Sequence, residues 1–252
     1  MDTISTYDHT AITCPIQEKA YQKHEFWRGV KDALPIMLGF IPFALVLGAS
    51  AVGAGFKWYE LSLLTTTNLA GGSEFTVVSL WQNPLNIPLI VAMATLVNSR
   101  HIIMGATFSL LLKGMPKKKA LPLLFVMIDE SWAMAIADAQ KHGRKALNVP
   151  YYLGVAILLC LTWIVFTTAG AYFAPLIGDL KQYGMDMAFT AVFLVLLKGM
   201  WRGFQAALPW LASLLGAGLC HHLFDGAWYV AVGALAGVAT AFFMGDDRTE
   251  KN

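Results

Sequence analysis

Long apolar runs separated by short charged stretches are the most regular feature of the chain. Four runs contain no Asp, Glu, Lys or Arg: residues 33–56, 150–178, 204–220 and 227–244. Two more runs, residues 61–81 and 86–112, are interrupted only by Glu74 and by Arg100-His101. Because about 20 apolar residues are needed to cross a hydrocarbon core of roughly 30 Å, these runs predict membrane helices.

Two weaker segments, residues 120–138 and 187–200, are shorter or more polar and bring the expected total to seven or eight. The composition agrees, since 57% of the residues are hydrophobic and only 13% are charged, against about 25% charged in soluble domains. We therefore predict an all-α, polytopic helical membrane protein. Its expected organisation is a polar, disordered cytoplasmic lead (1–25), one transmembrane domain (26–245) and a short polar tail (246–252).

Helix-breaking residues interrupt two of the apolar runs. The first run contains Pro35 and Pro42, and prolines at membrane depth are tolerated where neighbouring protein or cavity water satisfies the freed backbone groups. Residues 61–81 contain the pair Gly71-Gly72. This pair predicts a discontinuous or re-entrant helix.

The basic residues give an orientation and a conflict. Four of them precede the first run, at Lys19, Lys23, Arg28 and Lys31, which favours a cytoplasmic N-terminus. If every segment crosses, however, the basic loops at 113–119 and 141–145 lie on opposite faces. Either residues 61–81 dip in and return at Gly71-Gly72, or residues 120–138 lie partly at the interface. Both alternatives remain open at this point.

The first polar cluster at membrane depth extends from Asn68 to Glu74. A charged side chain at mid-membrane costs about 2.5–3.5 kcal/mol on insertion scales and marks a functional site by default. We therefore expect Glu74 to be protonated, paired or facing a wet cavity. An open helix at Gly71-Gly72 would expose backbone groups able to bind an ion or a zwitterion. The alternative is a structural kink with Glu74 near the membrane surface.

Two further clusters carry charge. Asn98 and His101 share a helix face, while Arg100 points elsewhere and is the natural counter-charge for Glu74 or Asp129. Asp129 and Glu130 are adjacent and point about 100° apart, so they are not expected to serve one site together. Asp138 falls about two turns beyond Glu130, nearer its side of the helix, and leads into the basic loop, which favours Asp129.

Other features exclude several classes of function. Cys14, Cys160 and Cys220 have no metal-binding spacing, and the chain has no Walker A, HExxH or GxSxG motif. We expect no cofactor, no metal, no catalytic residue and no nucleic-acid partner. A GxxxG sequence at 233–237 predicts close helix packing.

The polar clusters stand in motifs whose order resembles the AzlC-type family, the large subunit of branched-chain amino-acid exporters. The motifs are LPIMLGFIPFALVLG, LAGGSEF, VNSRHIIMG, IDESWAMA and GMDMAFTAVFLVLLKGMW. The resemblance extends over about residues 26–245. It implies a polar core of Gly71, Ser73, Asn98, Arg100, His101, Asp129 and Glu130, to which the residues themselves add Asn68, Gly72 and Glu74.

The resemblance also implies a function and a partner. Family members export branched-chain amino acids across the plasma membrane together with a small AzlD-type membrane subunit. One departure is central, because the family usually has glutamine where this chain has Glu74; Met104 and Thr190-Ala191 also differ from the usual residues. The expected function is gradient-driven export of valine-, leucine- or isoleucine-like amino acids.

Three alternatives compete with this expectation. One is transport of a different small amphipathic solute. Another is an intramembrane enzyme that pairs Ser73 or His101 with Asp129, although no protease or hydrolase motif supports it. The third is a passive channel or an assembly scaffold.

Overall fold

The computed structural model describes residues 15–81, 84–177, 203–223 and 228–249, and the regular elements in these parts are all helices. They are α1 (Pro15–Gly53), α2 (Trp58–Asn68), α3 (Gly71–Ser79), α4 (Ile87–Asn98), α5 (Arg100–Leu111), α6 (Lys117–Phe125), α7 (Asp129–Lys141), α8 (Val149–Ile177), α9 (Phe204–Leu223) and α10 (Trp228–Thr249). The predicted all-α class is confirmed.

Three helices in the described parts are long and apolar enough to cross a membrane: Glu18–Gly53, Ile87–Leu111 and Val149–Leu176. The second combines α4 and α5, because Ser99 between them keeps helical dihedrals. The predicted segment 187–200 lies outside the described residues. The total of seven or eight membrane segments therefore stays a prediction.

Helix α1 begins earlier than the sequence suggested. Residues 1–25 were expected to be disordered, yet the helix starts at Pro15 and continues for 39 residues through Pro35 and Pro42. Residues 18–24 of this helix are exposed, and packing against other helices begins at Glu25, which is 5% exposed.

Helices α1 and α8 form the central pair and run in parallel. A Cβ on Gly29 would lie 2.2 Å from the carbonyl oxygen of Tyr151, and a Cβ on Gly48 would lie 2.3 Å from that of Thr167. The residue numbers of the contacting positions thus increase in the same direction along both helices. On the other side of the interface, Gly154 and Gly170 approach the α1 backbone equally closely. Glycines at these positions allow the two backbones to touch.

Helices α2 and α3 form a hairpin that enters from the C-terminal end of α8. Near the start of α2, the hydroxyls of Ser62 and Thr168 are 2.7 Å apart. Leu69 then turns the chain with a φ of 48°, and α3 returns. The rings of Phe56 and Trp81, which flank the two helices, lie 4.2 Å apart. Both ends of the segment are therefore on one side of the molecule.

Helices α6 and α7 form a second hairpin, which enters from the N-terminal end of α8. The Tyr152 hydroxyl donates to the carbonyl of Leu123 in α6 at 2.8 Å. The tip reaches the middle of α8, where the Cys160 thiol lies 4.0 Å from the carbonyl of Val126. Helix α7 then returns, and its Asp138 contacts Arg28 near the start of α1. The two hairpins thus enter from opposite ends and meet at mid-height.

Residues 120–138, for which a partly interfacial position is one of the two alternatives, do not form one continuous helix, because α6 ends at Phe125 and α7 starts again at Asp129. With both hairpins returning, the loops at 113–119 and 141–145 lie at the same end as the polar first part of α1. We call this end the basic end.

The predicted packing of the GxxxG sequence is also confirmed. A Cβ on Gly233 would lie 2.9 Å from the carbonyl oxygen of Ser213, and a Cβ on Gly237 would lie 3.1 Å from that of Pro209. The small-residue ridge of α10 is thus covered by α9.

Candidate functional site

A cavity of about 400 Å³ lies where the two hairpin tips meet. This size falls within the range of small-molecule sites, roughly 300–1,000 Å³. Its polar side is formed by Arg100, His101, Asp129 and Glu130, together with the backbone of Gly71 and Gly72. Its apolar side is formed by Ile36, Phe40, Phe43, Leu69, Phe75, Ile128, Cys160 and Trp163, with Gly39 and Ala70.

The predicted site residues separate into two groups. Six of them line the cavity: Gly71, Gly72, Arg100, His101, Asp129 and Glu130. The other four, Asn68, Ser73, Glu74 and Asn98, form a hydrogen-bonded cluster behind the wall that Gly71 and Gly72 provide.

This cluster connects the first hairpin to α4. The Asn98 amide donates to Asn68 Oδ1 at 3.1 Å, and the Asn68 amide donates to Ser73 Oγ at 2.7 Å. Ser73 is fully buried, and its hydroxyl donates to the carbonyl of Ala70 at 2.9 Å. The cluster therefore fixes the turn at which α3 begins.

Glu74 is fully buried and accepts hydrogen bonds on both carboxylate oxygens. Oε2 accepts from the indole of Trp163 at 2.7 Å. Oε1 accepts from the backbone of Ala70 at 3.0 Å and from the amide of Asn68 at 3.4 Å. Among the described residues, no cation lies within ion-pair distance of Glu74. Glu74 lies in the first turn of α3, where the partial positive charge of the helix N-terminus stabilises a carboxylate.

Arg100 pairs with Asp129, one of the two acids considered for it, at 2.7 Å. Both side chains are about 40% exposed, at 41% and 38% respectively. Arg100 Nε and Asp129 Oδ1 are buried and lack a hydrogen-bond partner in the described structure. Since buried polar groups are almost always paired, this ion pair retains unused hydrogen-bonding capacity beside the cavity.

The expectation that only one of Asp129 and Glu130 faces the site was wrong, because both line the cavity. Residues 100° apart on a helix face different directions when a neighbour packs along the side of that helix. Helix α7 begins at Asp129 and points its N-terminus at the cavity, so residues around its first turn surround the same space. Glu130 makes no ion pair within the described residues.

Two helix N-termini therefore point at one cavity. The first N–H groups of a helix have no partner within it, and at α3 these groups belong to Gly71 and Gly72. The tip of the second hairpin has a similar serine at the start of its helix. The Ser131 hydroxyl accepts from the N–H of Ile128 and donates to the carbonyl of Ile128, both at 3.1 Å. The start of α3 can attract an anionic group, whereas the first turn of α7 already carries Asp129 and Glu130.

Sequence reasoning did not identify the apolar walls. Phe40, Phe75 and Trp163 lie in runs where nothing marks one apolar residue above its neighbours. A weak signal was present at Trp163, since membrane tryptophans concentrate at the interfaces and this one lies in the middle of residues 150–178.

A second group of charges, at the basic end, was also missed. We call Glu25, Arg28, Asp138 and Arg144 the end network. Arg28 contacts Glu25 at 2.7 Å and Asp138 at 2.8 Å, and Arg144 contacts Asp138 at 3.3 Å. The Asn148 amide also donates to Glu25. These contacts join α1, α7 and the segment that leads into α8.

The comparisons with known proteins agree with the membrane architecture. Residues 35–177 match the family model described as AzlC protein. The inner membrane protein YgaZ of Escherichia coli is 25% identical over 236 residues, covering 91% of this chain and 95% of the relative.

An uncharacterized membrane protein of Archaeoglobus fulgidus is 28% identical over 181 residues, covering 71% of this chain and 77% of the relative. One of Helicobacter pylori is 26% identical over 207 residues, covering 75% and 87%. No solved structure matches the chain significantly. The family match and these relatives identify the chain as a multi-pass inner-membrane protein that belongs to the AzlC family.

Proposed function

We propose that the chain is a secondary transporter that exports branched-chain amino acids through the cavity between the two hairpins. The observation that carries the proposal is one cavity whose lining combines ionisable groups of both signs with aromatic and aliphatic side chains. A zwitterion with an aliphatic side chain matches both kinds of lining. Family membership supports the same class of substrate.

Each end of the zwitterion has a candidate partner. The free N–H groups at the start of α3, together with Arg100, suit the carboxylate. Glu130 suits the ammonium group, because it lines the cavity while Asp129 already pairs with Arg100. Binding would give Arg100 Nε, which lacks a hydrogen-bond partner in the described structure, an acceptor on the carboxylate.

The proposed energy source is an ion gradient, a proton gradient or the gradient of the solute itself, since the sequence has no Walker A loop. Asp129 and Glu130, rather than Glu74, are the candidate proton carriers in this proposal. Both line the cavity, whereas all three neighbours of the Glu74 carboxylate are hydrogen-bond donors.

The basic end is the cytoplasmic side in this proposal, according to the positive-inside bias. It collects Lys19, Lys23, Arg28, Lys31, Lys113, Lys117, Lys118, Lys119, Lys141, Arg144 and Lys145, whereas Lys57 lies at the opposite end. The test uses Lys57→Cys and Lys118→Cys in a protein with Cys14, Cys160 and Cys220 replaced by serine. We expect an impermeant maleimide to label only Lys57→Cys in intact cells. Labelling of only Lys118→Cys would reverse the orientation.

The function itself is tested by release of amino acids from cells. Cells with the protein and a co-expressed AzlD-type subunit, and cells with neither, are loaded with dipeptides that contain leucine, valine, alanine or phenylalanine. We expect faster appearance of leucine and valine outside, strongly reduced by Arg100→Gln and retained in the surface control Lys118→Gln. An unchanged release profile would remove the amino-acid proposal, and release of another residue would reassign the solute.

The same preparation separates the competing classes. A transporter shows saturable flux of an unchanged solute, a channel shows flux without saturation, and an enzyme releases a chemically altered product. The enzyme alternative has little geometric support, because the Ser73 hydroxyl donates to the carbonyl of Ala70 and His101 Nδ1 lies 3.2 Å from the carbonyl of Asn98.

A further inference from the structure

Trp163 occupies a position in the cavity wall that neither the family motifs nor the polar clusters indicate. It lies on α8 at the height of the hairpin tips and is 8% exposed. Its ring meets Phe40 edge to face, with the ring centres 5.7 Å apart. A Cβ on Gly71 would lie 2.8 Å from Trp163 Cζ2. The indole is therefore packed directly against the start of α3.

Glu74 fixes the orientation of this indole. Its Oε2 accepts the Trp163 N–H at 2.7 Å, while Oε1 accepts from Ala70 and Asn68. An indole N–H and a backbone N–H can only donate. The arrangement thus requires an acceptor on each side of the Glu74 side chain, which a carboxylate provides and an amide does not. With glutamine here, one buried donor would face an NH₂ group.

We propose that Trp163, positioned by the Glu74 carboxylate, determines the substrate specificity of the cavity by limiting it to aliphatic side chains. The inference rests on the proposed function, since it concerns the same cavity. A zwitterion whose charged groups lie at Arg100, Glu130 and the start of α3 has Trp163 as a direct neighbour, because the indole packs against Gly71 and lines the same cavity. There the rigid indole occupies the volume that a larger side chain would need.

The proposal gives the Glu74 carboxylate a specific purpose. Glu74 is a positioning residue that acts through Trp163 and touches no substrate. Replacing it should alter which amino acids bind more than how tightly the preferred one binds. A purely structural role would change stability and affinity without changing the preference between a small and a large side chain.

The experiment measures competition against radiolabelled leucine in the purified full-length protein, reconstituted with its AzlD-type subunit. The competitors are valine, isoleucine, phenylalanine and tryptophan, and the variants are Trp163→Leu, Trp163→Phe and Glu74→Gln. Phe173→Leu is the matched control, since Phe173 lies on the same helix, is 52% exposed and does not line the cavity. The quantity compared is the ratio of phenylalanine to leucine affinity.

We expect Trp163→Leu to raise this ratio by roughly tenfold or more, because one extra or missing methylene already changes selectivity about 10- to 200-fold. Glu74→Gln and Trp163→Phe should raise it less, because each removes the N–H···O bond and keeps a large ring. Phe173→Leu should leave it unchanged. If Trp163→Leu fails to fold, the phenylalanine-to-leucine ratios of Trp163→Phe and Glu74→Gln test the proposal instead.

Two results would count against the inference in different ways. If wild-type protein binds leucine and every folded variant keeps the wild-type ratio, Trp163 does not determine specificity and the proposed function stands. If no amino acid competes in wild-type protein, the proposed function fails and this inference fails with it.

Discussion

The Arg100–Asp129 pair and the end network are built from the same kinds of residue and differ in how completely their hydrogen bonds are used. In the end network the acids are almost entirely buried, with 7% and 3% of the Glu25 and Asp138 side chains exposed, and each contacts two arginines. At the cavity, one arginine and one acid are about 40% exposed, and each retains an unpaired polar atom. A network whose charged groups all have partners is typical of a structural contact between helices, whereas a pair with unpaired polar atoms is typical of a ligand-binding site.

The largest expected effect is on stability, at the end network. Arg28 contacts both buried acids, so Arg28→Ala leaves buried carboxylates without their main cation. Breaking a buried pair costs about 3–5 kcal/mol, and since Arg28 is itself one-quarter exposed, we expect about 3 kcal/mol. This corresponds to a fall in melting temperature of roughly 6–12 °C for a chain of this size.

Thermal denaturation in detergent measures this fall. Asp32→Asn is the control, because Asp32 is 47% exposed and lies 3.7 Å from Arg28; it should change the melting temperature by at most a degree or two. A melting temperature for Arg28→Ala within 2 °C of the wild type would show that the network has no structural importance.

The next effect is on transport, at the cavity. Arg100→Gln removes the charge that we propose binds the substrate carboxylate. A hydrogen bond to a charged group contributes about 1.5–3 kcal/mol, so uptake or release of leucine should fall by roughly 10- to 100-fold. The melting temperature should stay within about 3 °C of the wild type, because the pair is half exposed. Wild-type rates from this variant in proteoliposomes would remove Arg100 from the site.

The smallest effect separates two neighbouring glycines at the tip of the first hairpin. Gly71→Ala places a Cβ 2.8 Å from the Trp163 ring, whereas Gly72→Ala meets only Arg100 Nη2 at 3.5 Å and Val97 Cγ1 at 3.6 Å. Overpacking costs about 1–3 kcal/mol, so Gly71→Ala should lower both stability and leucine transport. Gly72→Ala should be close to wild type in both assays, and equal behaviour of the two variants would contradict the described packing at Trp163.

The sequence predicted those parts of the fold that local chemistry decides. Apolar runs indicated the long helices. Gly71-Gly72, which weaken a helix, indicated the first break, although the chain turns at Leu69 and Ala70 and the two glycines begin α3. The second break, between Phe125 and Asp129, has no such residue. The tip of this hairpin contacts the middle of α8 at Cys160, which is a tertiary contact, and the Ser131 hydroxyl caps the start of α7 locally.

The candidate site was predictable to a similar degree. The residues that line its polar side were found because charge at membrane depth is expensive and therefore informative. The hydrogen bond between Glu74 and Trp163 was not predicted, because the two residues are 89 positions apart in the sequence. The end network was missed for the same reason, as Arg28 and Asp138 are 110 positions apart.

Two aspartates on one helix offer the most direct test of the contrast between site and scaffold. Asp129 begins α7 at the cavity, and Asp138 lies near its other end in the end network. Asp129→Asn and Asp138→Asn make the same chemical change, and leucine transport per folded molecule is measured together with the melting temperature of each. We predict that Asp129→Asn loses transport and keeps its melting temperature, whereas Asp138→Asn keeps transport per folded molecule and melts lower. The reverse pattern, or equal losses in both, would contradict this assignment.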